Sequence, residues 1–328
     1  MLSAGGFMCR LCRFILLFIF MQSLTLQASE KKSFEQIRFP SSEILLKWIN
    51  DYRNSPKPQL LPQAIHAMVH LGVLKDLDQT GVYVGFAAGV LGSNPNLAKK
   101  LVEDTFPLAP EDQVILIKAI AFSGLDDWKD LLTFFTERMP ARKVLIEKYL
   151  YGDGKTLFEL PLDQGSFVLD AHWGYYFASG SEIAVSRILS ALEWADNRDN
   201  VERLTIAAMA KWTLASNGMR DKNLLDLLKS EMNLQKSEKI RVQLREVILA
   251  AETYETGKIR KDALAAIEEV KTKGPESARK LSWWGQAGQT ALALGCVAAG
   301  VMGQVQLGIP CVVGGALSTA ALKYLTPQ

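Results

Sequence analysis

Residues 110–140 have the sequence PEDQVILIKAIAFSGLDDWKDLLTFFTERMP, and this stretch decides the fold class. The run 114–122 is apolar on nearly every side, which predicts a helix that protein covers on several faces. A proline with two acidic residues suits its first turn, and Gly124 suits its end. Apolar residues then recur at helical spacing over 125–135. This pattern predicts a second helix that packs antiparallel on the first.

The same spacing extends in both directions from this pair, over about residues 40–273, and strand-like alternation is almost absent. The predicted helices are 42–53, 63–74, 80–92, 96–105, 111–123, 125–138, 140–150, 166–179, 181–194, 199–216, 221–231, 237–256 and 258–272. Short helices with short joins and no long crossover predict an all-α fold, built as an α-solenoid-like stack of helical hairpins.

The composition excludes several classes of protein. The chain has 328 residues, of which 48% are hydrophobic and 22% charged, so it can bury a sizeable core and is not mainly disordered. Lysine and arginine total 37 against 35 acidic residues, so no basic excess indicates nucleic-acid binding. Four cysteines and three histidines are few for a disulfide framework or a metal cluster.

The N-terminus has the organisation of a signal peptide. Arg10 and Arg13 precede the short apolar run 14–21, and Ala28 ends a plausible cleavage site. The run is well short of the roughly 20 residues that a spanning helix needs. We therefore predict a signal peptide over residues 1–28 and export of the chain. An uncleaved anchor and a buried helix are the alternatives.

The C-terminus is predicted to form an apolar helical hairpin over residues 281–328, after a helical domain at 29–280. No charged residue lies between Lys280 and Lys323, and a polar turn with glycine and proline interrupts the run once. Small residues recur at every fourth position, namely at Ala287, Ala291, Gly295, Ala299 and Gly303. Such a row of small residues would let two helices approach closely in lipid. The prediction is a membrane hairpin. The alternative is a pair of helices packed on the helical domain.

Two segments resemble those of a known family. Residues 169–180, LDAHWGYYFASG, and residues 211–217, KWTLASN, look like segments of an uncharacterised family of exported bacterial proteins with all-helical, tetratricopeptide-like architecture. The resemblance implies a bacterial origin and a helical architecture. That family has no assigned activity, so the resemblance carries over no functional residue.

The sequence predicts no catalytic residue, cofactor or metal. His66 and His70 are four residues apart on a predicted helix, but Ala67 stands where a zinc protease would have its general-base glutamate. No serine-elbow motif is present. Gly85 and Gly89, one helical turn apart, are predicted to let two helices pack closely rather than to hold a ligand.

The leading functional hypothesis is a non-enzymatic scaffold or interaction protein of the bacterial envelope, exported to the periplasm and associated with a membrane. It would bind a protein or peptide on a helical-repeat surface. The predicted contact residues are Asp170, His172, Trp173, Tyr175 and Tyr176, with core packing as the alternative. The rival functions are an envelope hydrolase with an unrecognised site and a membrane-inserting effector or pore that uses the C-terminal hairpin.

Overall fold

The computed structural model describes residues 39–273, except residues 77, 78, 198 and 255. Contacts divide the chain into two units, residues 1–41 and 42–328, and every described helix lies in the second. The helices are Ser42–Asp51 (α1), Leu61–His70 (α2), Gly81–Gly92 (α3), Pro95–Thr105 (α4), Gln113–Phe122 (α5), Trp128–Phe134 (α6), Lys143–Leu150 (α7), Ser166–Ser179 (α8), Glu182–Ser190 (α9), Val201–Gly218 (α10), Lys222–Leu234 (α11), Glu238–Thr253 (α12) and Thr256–Lys273 (α13). The described residues contain no strand, so the all-α prediction is confirmed.

Two helices that are buried on nearly all sides form the centre of the fold. Every residue of α3 except Gly92 is buried, and α8 packs along its length while α5 covers another side. Glycine makes this approach possible. A Cβ at Gly85 would lie 1.9 Å from the Ala171 carbonyl oxygen, and one at Gly174 would lie 2.0 Å from the Val82 carbonyl oxygen. The predicted close packing at Gly85 is thereby confirmed, and α8 is the helix that approaches it.

The C-terminal helices assemble around α10. Helices α12 and α13 pack on it, and the Trp173 indole Nε1 of α8 donates a hydrogen bond to the Thr213 hydroxyl of α10 at 2.9 Å. Helix α8 therefore touches both the α3–α5 group and the α10–α13 group.

The structure does not support the solenoid-like stacking predicted from the sequence. In a solenoid each hairpin contacts its sequence neighbours. Here the most extensive contact joins α3 to α8, and four helices separate these two along the chain. The physical reason is that neither α3 nor α8 has a continuous polar face and both carry glycines, so both lie inside a core instead of leaving one face exposed.

Two predicted segments lie outside the described residues. These are the signal peptide at 1–28 and the apolar hairpin at 281–328 with its small residues Ala287, Ala291, Gly295, Ala299 and Gly303. Within residues 39–273, no helix combines the length and the apolar character that crossing a membrane requires.

Candidate functional site

A polar cleft of about 520 Å³ opens between α1 and the turn that joins α10 to α11. Its walls come from segments that are far apart in the sequence. The lining residues are Glu43, Lys47, Asn50, Asp51, Arg53, Asn54, Phe177, Asn217, Arg220, Asp221, Lys222 and Asn223.

The first wall is the polar face of α1. Three apolar residues on one side of this helix are buried, namely Leu45, Leu46 and Ile49. Glu43, Lys47, Asn50 and Asp51 recur at the spacing of the opposite side, so they face the cleft when the apolar side packs inward.

The second wall is the tight connection between α10 and α11. The Asp221 backbone N–H donates to the Asn217 carbonyl oxygen at 2.9 Å, which turns the chain at the end of α10. The Asp221 side chain then accepts a hydrogen bond from the Leu224 N–H at 3.1 Å and caps α11. This turn places Arg220 and Lys222 beside Asn217 at the cleft.

Asp221 joins the two walls. Its carboxylate forms an ion pair with Arg53, on the 3₁₀ turn that follows α1, and accepts a hydrogen bond from the Tyr176 hydroxyl at 2.9 Å. The Arg53 guanidinium carbon also lies 4.2 Å from the centre of the Tyr176 ring. Burial and the neighbouring Asp221 carboxylate raise the pKa of Tyr176, although Arg53 opposes them, so the phenol stays protonated and donates.

Several polar groups of the cleft have no partner within the described part of the chain. The Asn217 side chain is 4% exposed, and its Nδ2 meets no acceptor. Three cations of the lining, Lys47, Arg220 and Lys222, form no ion pair there, and neither do the carboxylates of Glu43 and Asp51. A buried polar group without a partner costs free energy, which a ligand can recover by supplying the missing hydrogen bond.

The residues predicted as a contact surface lie inside the protein. Asp170 is 4% exposed and His172 0%, while Trp173 and Tyr176 are also buried. Tyr175 is half-buried, and its hydroxyl donates to the Ser123 carbonyl oxygen at 2.9 Å. The expectation that these five side chains form an accessible surface is therefore corrected, because α8 is covered by α3, α9 and α10.

The His172 imidazole is fully buried, and neither of its nitrogens has a hydrogen-bond partner among the residues that the structure describes. The Phe158 ring lies 5.4 Å from it, measured between ring centres. Burial, with a smaller contribution from the nearby Arg187 charge, lowers the pKa of His172 to about 3. The ring is therefore neutral at ordinary pH.

Of the residues predicted for binding, Tyr176 is the one that reaches the cleft region, through its bond to Asp221. His66 and His70 are exposed on α2. The described residues hold no group of three or more histidine, cysteine or acidic side chains arranged for a metal ion.

The cleft could not be predicted from the sequence, because each of its walls is an ordinary polar helix face or turn. A weak signal was present at Asn217, an amide near the end of α10 that is buried in the structure. Comparison of the chain with protein-family models, with curated proteins and with solved structures found no match. The likeness to exported bacterial helical proteins therefore stays a prediction.

Proposed function

We propose that the protein is a non-enzymatic interaction protein that binds a peptide segment of a partner in the polar cleft. The observation that carries the proposal is the set of side-chain amides around the cleft, Asn50, Asn54, Asn217 and Asn223. An asparagine amide offers both a donor and an acceptor, as a peptide group does, so these side chains match a main chain laid between them.

The charges and size of the cleft also favour a peptide. Lys47, Arg220 and Lys222 supply unpaired positive charge, whereas Glu43 and Asp51 supply negative charge. Such a mixture suits a ligand that carries both signs. The volume of about 520 Å³ is in the range of small-ligand sites and accommodates a short segment of chain. The lining has no histidine, cysteine, serine or threonine, which favours binding over nucleophilic catalysis.

The envelope location belongs to the same proposal and rests on the sequence. The signal-peptide pattern at residues 1–28 supports export, and the apolar segment at 281–328 supports a position near a membrane. The partner would then be a protein of the envelope.

A peptide selection tests the proposal. The full chain is probed with a synthetic library of seven-residue peptides that have free C-termini, and the binders are titrated by calorimetry. We expect Lys47→Ala and Asn50→Ala to weaken the selected peptides at least tenfold. The matched control is Lys239→Ala, an exposed lysine of α12 outside the cleft. An absence of binders, or binders that respond equally to all three variants, would refute the proposal.

A further inference from the structure

The first turn of α11 faces the cleft. Lys222 and Asn223, its first two residues, are part of the lining. The N–H groups of a first helical turn have no partners within the helix, and the helix dipole makes this end positive. Asp221 satisfies one of these groups, the Leu224 N–H. The remaining N–H groups are suited to an anionic oxygen.

A second and independent observation lies next to this helix end. Asn217 lines the cleft and is more than nine-tenths buried, and its Nδ2 has no acceptor among the described residues. The Nε of Arg53 is likewise buried and without an acceptor. Two donors without an acceptor in the described part of the chain therefore lie near the α10–α11 end of the cleft.

The charge balance at this end is positive. The carboxylate of Asp221 is neutralised by Arg53 and bonded by the Tyr176 hydroxyl, so it offers little repulsion to an anion. Arg220 and Lys222 have no acidic partner in the described part of the chain. The two remaining carboxylates of the lining, Glu43 and Asp51, belong to the α1 wall.

We infer that the α10–α11 end of the cleft binds an anionic oxygen group, and we assign that group to the free C-terminal carboxylate of the bound peptide. The inference rests on the function proposed above. The carboxylate would accept hydrogen bonds from Asn217, from the Arg220 guanidinium and from the first turn of α11, since a guanidinium binds a carboxylate with two parallel bonds. Glu43 and Asp51 in the same cleft disfavour a doubly charged phosphate relative to a singly charged carboxylate.

The test compares N-acetyl-trialanine with its C-terminal amide on the full chain by calorimetry. We expect the free acid to bind at least tenfold tighter than the amide, and Arg220→Gln to remove this difference. Arg245→Gln, which changes an exposed arginine of α12 outside the cleft, is the matched control and should preserve it. Circular dichroism checks that each variant is folded.

Competition experiments distinguish a carboxylate ligand from a phosphate ligand. Inorganic phosphate and acetate are titrated as competitors. If phosphate displaced the acid peptide at a lower concentration than acetate does, the site would be one for a phosphate group and not for a carboxylate. This result would overturn the assignment. Equal binding of acid and amide, no binding of either, or insensitivity to Arg220→Gln would also overturn it.

The two proposals fail in different ways. Peptides selected from the library are resynthesised as C-terminal amides. If these amides still bind, and still respond to Lys47→Ala, the peptide-binding function stands while the carboxylate assignment falls. If no peptide is selected at all, the function itself is refuted.

Discussion

The missing side chain at Gly85 is one of those that allow the two central helices to approach closely. Gly85 of α3 faces the backbone of α8, and a Cβ there would lie 1.9 Å from the Ala171 carbonyl oxygen. The backbone of α8 cannot move aside without disturbing the rest of the core. We therefore expect Gly85→Ala to lower the free energy of unfolding by at least about 3 kcal/mol, as measured by urea denaturation.

The control for this prediction is a helical glycine in open surroundings. A Cβ at Gly257, in the first turn of α13, would meet no atom of the described residues within 4 Å. Because alanine is the better helix former, Gly257→Ala should raise stability by up to about 1 kcal/mol. If Gly85→Ala proved as mild as Gly257→Ala, the close approach of α3 and α8 would be contradicted.

The second prediction at the residue scale concerns pH. Burial lowers the pKa of His172 to about 3 in the folded state, below the ordinary value of 6.5. Below pH 6.5 the unfolded chain takes up a proton that the folded chain does not, so this residue removes stability as the pH falls from 6.5 toward 3. Between pH 7 and pH 4.5 the loss amounts to about 2.5 kcal/mol.

His172→Leu removes the titrating group and places an apolar side chain in a pocket where the described residues offer the imidazole no hydrogen bond. The variant should lose about 2.5 kcal/mol less than the parent between pH 7 and pH 4.5, measured by urea denaturation at each pH. Parallel stability curves for the two proteins would mean that His172 is not held neutral by its surroundings.

At the scale of elements, one buried hydrogen bond connects α8 to α10. The Thr213 hydroxyl accepts from the Trp173 indole and donates to the Met209 carbonyl oxygen of its own helix. Thr213→Val keeps the shape but leaves the indole N–H buried without an acceptor. We expect a cost of about 1–3 kcal/mol in the free energy of unfolding.

Thr205 provides the matched control on the same helix. It is buried, and its hydroxyl donates to the Val201 carbonyl oxygen at 2.7 Å but accepts no hydrogen bond from another helix within the described part of the chain. Thr205→Val should therefore cost clearly less than Thr213→Val.

Trp173→Phe combined with Thr213→Val should cost less than the sum of the single changes, because both remove the same bond. If the losses of unfolding free energy in the two single variants added up in the double variant, the hydrogen bond between Trp173 and Thr213 would be contradicted.

The element scale also marks how far the sequence could predict the structure. The bounds of α8, 166–179, follow from its apolar spacing and from Gly180, which ends it in the left-handed conformation. Which residues of α8 are buried and which are exposed could not be predicted in this way. The few polar residues of α8 form no continuous face that would indicate which residues are exposed, so Trp173 and Tyr176 were predicted as a surface although they lie in the core.

Contacts between residues far apart in the chain could not be predicted from the sequence for a related reason. The spacing of Gly85 and Gly89 predicted a close helix contact but could not identify the helix that makes it. Arg53 and Asp221 lie 168 residues apart, and no local pattern connects them. The cleft was missed because it exists only where these two segments meet.

At the scale of the whole molecule, α8 connects the N-terminal and C-terminal groups of helices, because it packs along α3 and bonds to α10. Separate opening of either group would expose the apolar side of α8. Helices α3 and α8 should therefore exchange their amide protons through the same global unfolding, although four helices separate them along the chain.

Native-state hydrogen exchange with increasing urea tests this expectation. Peptides from α3 and α8 should give the same opening free energy and the same urea dependence. Gly85→Ala should lower the opening free energies of the two helices by the same amount. Helix α6 is the internal reference. It has seven residues, buries only Leu131 and Leu132, and leaves Phe134 52% exposed, so it should open at a free energy at least about 2 kcal/mol lower. Different opening free energies for α3 and α8 would show that the central pair is not one cooperative unit.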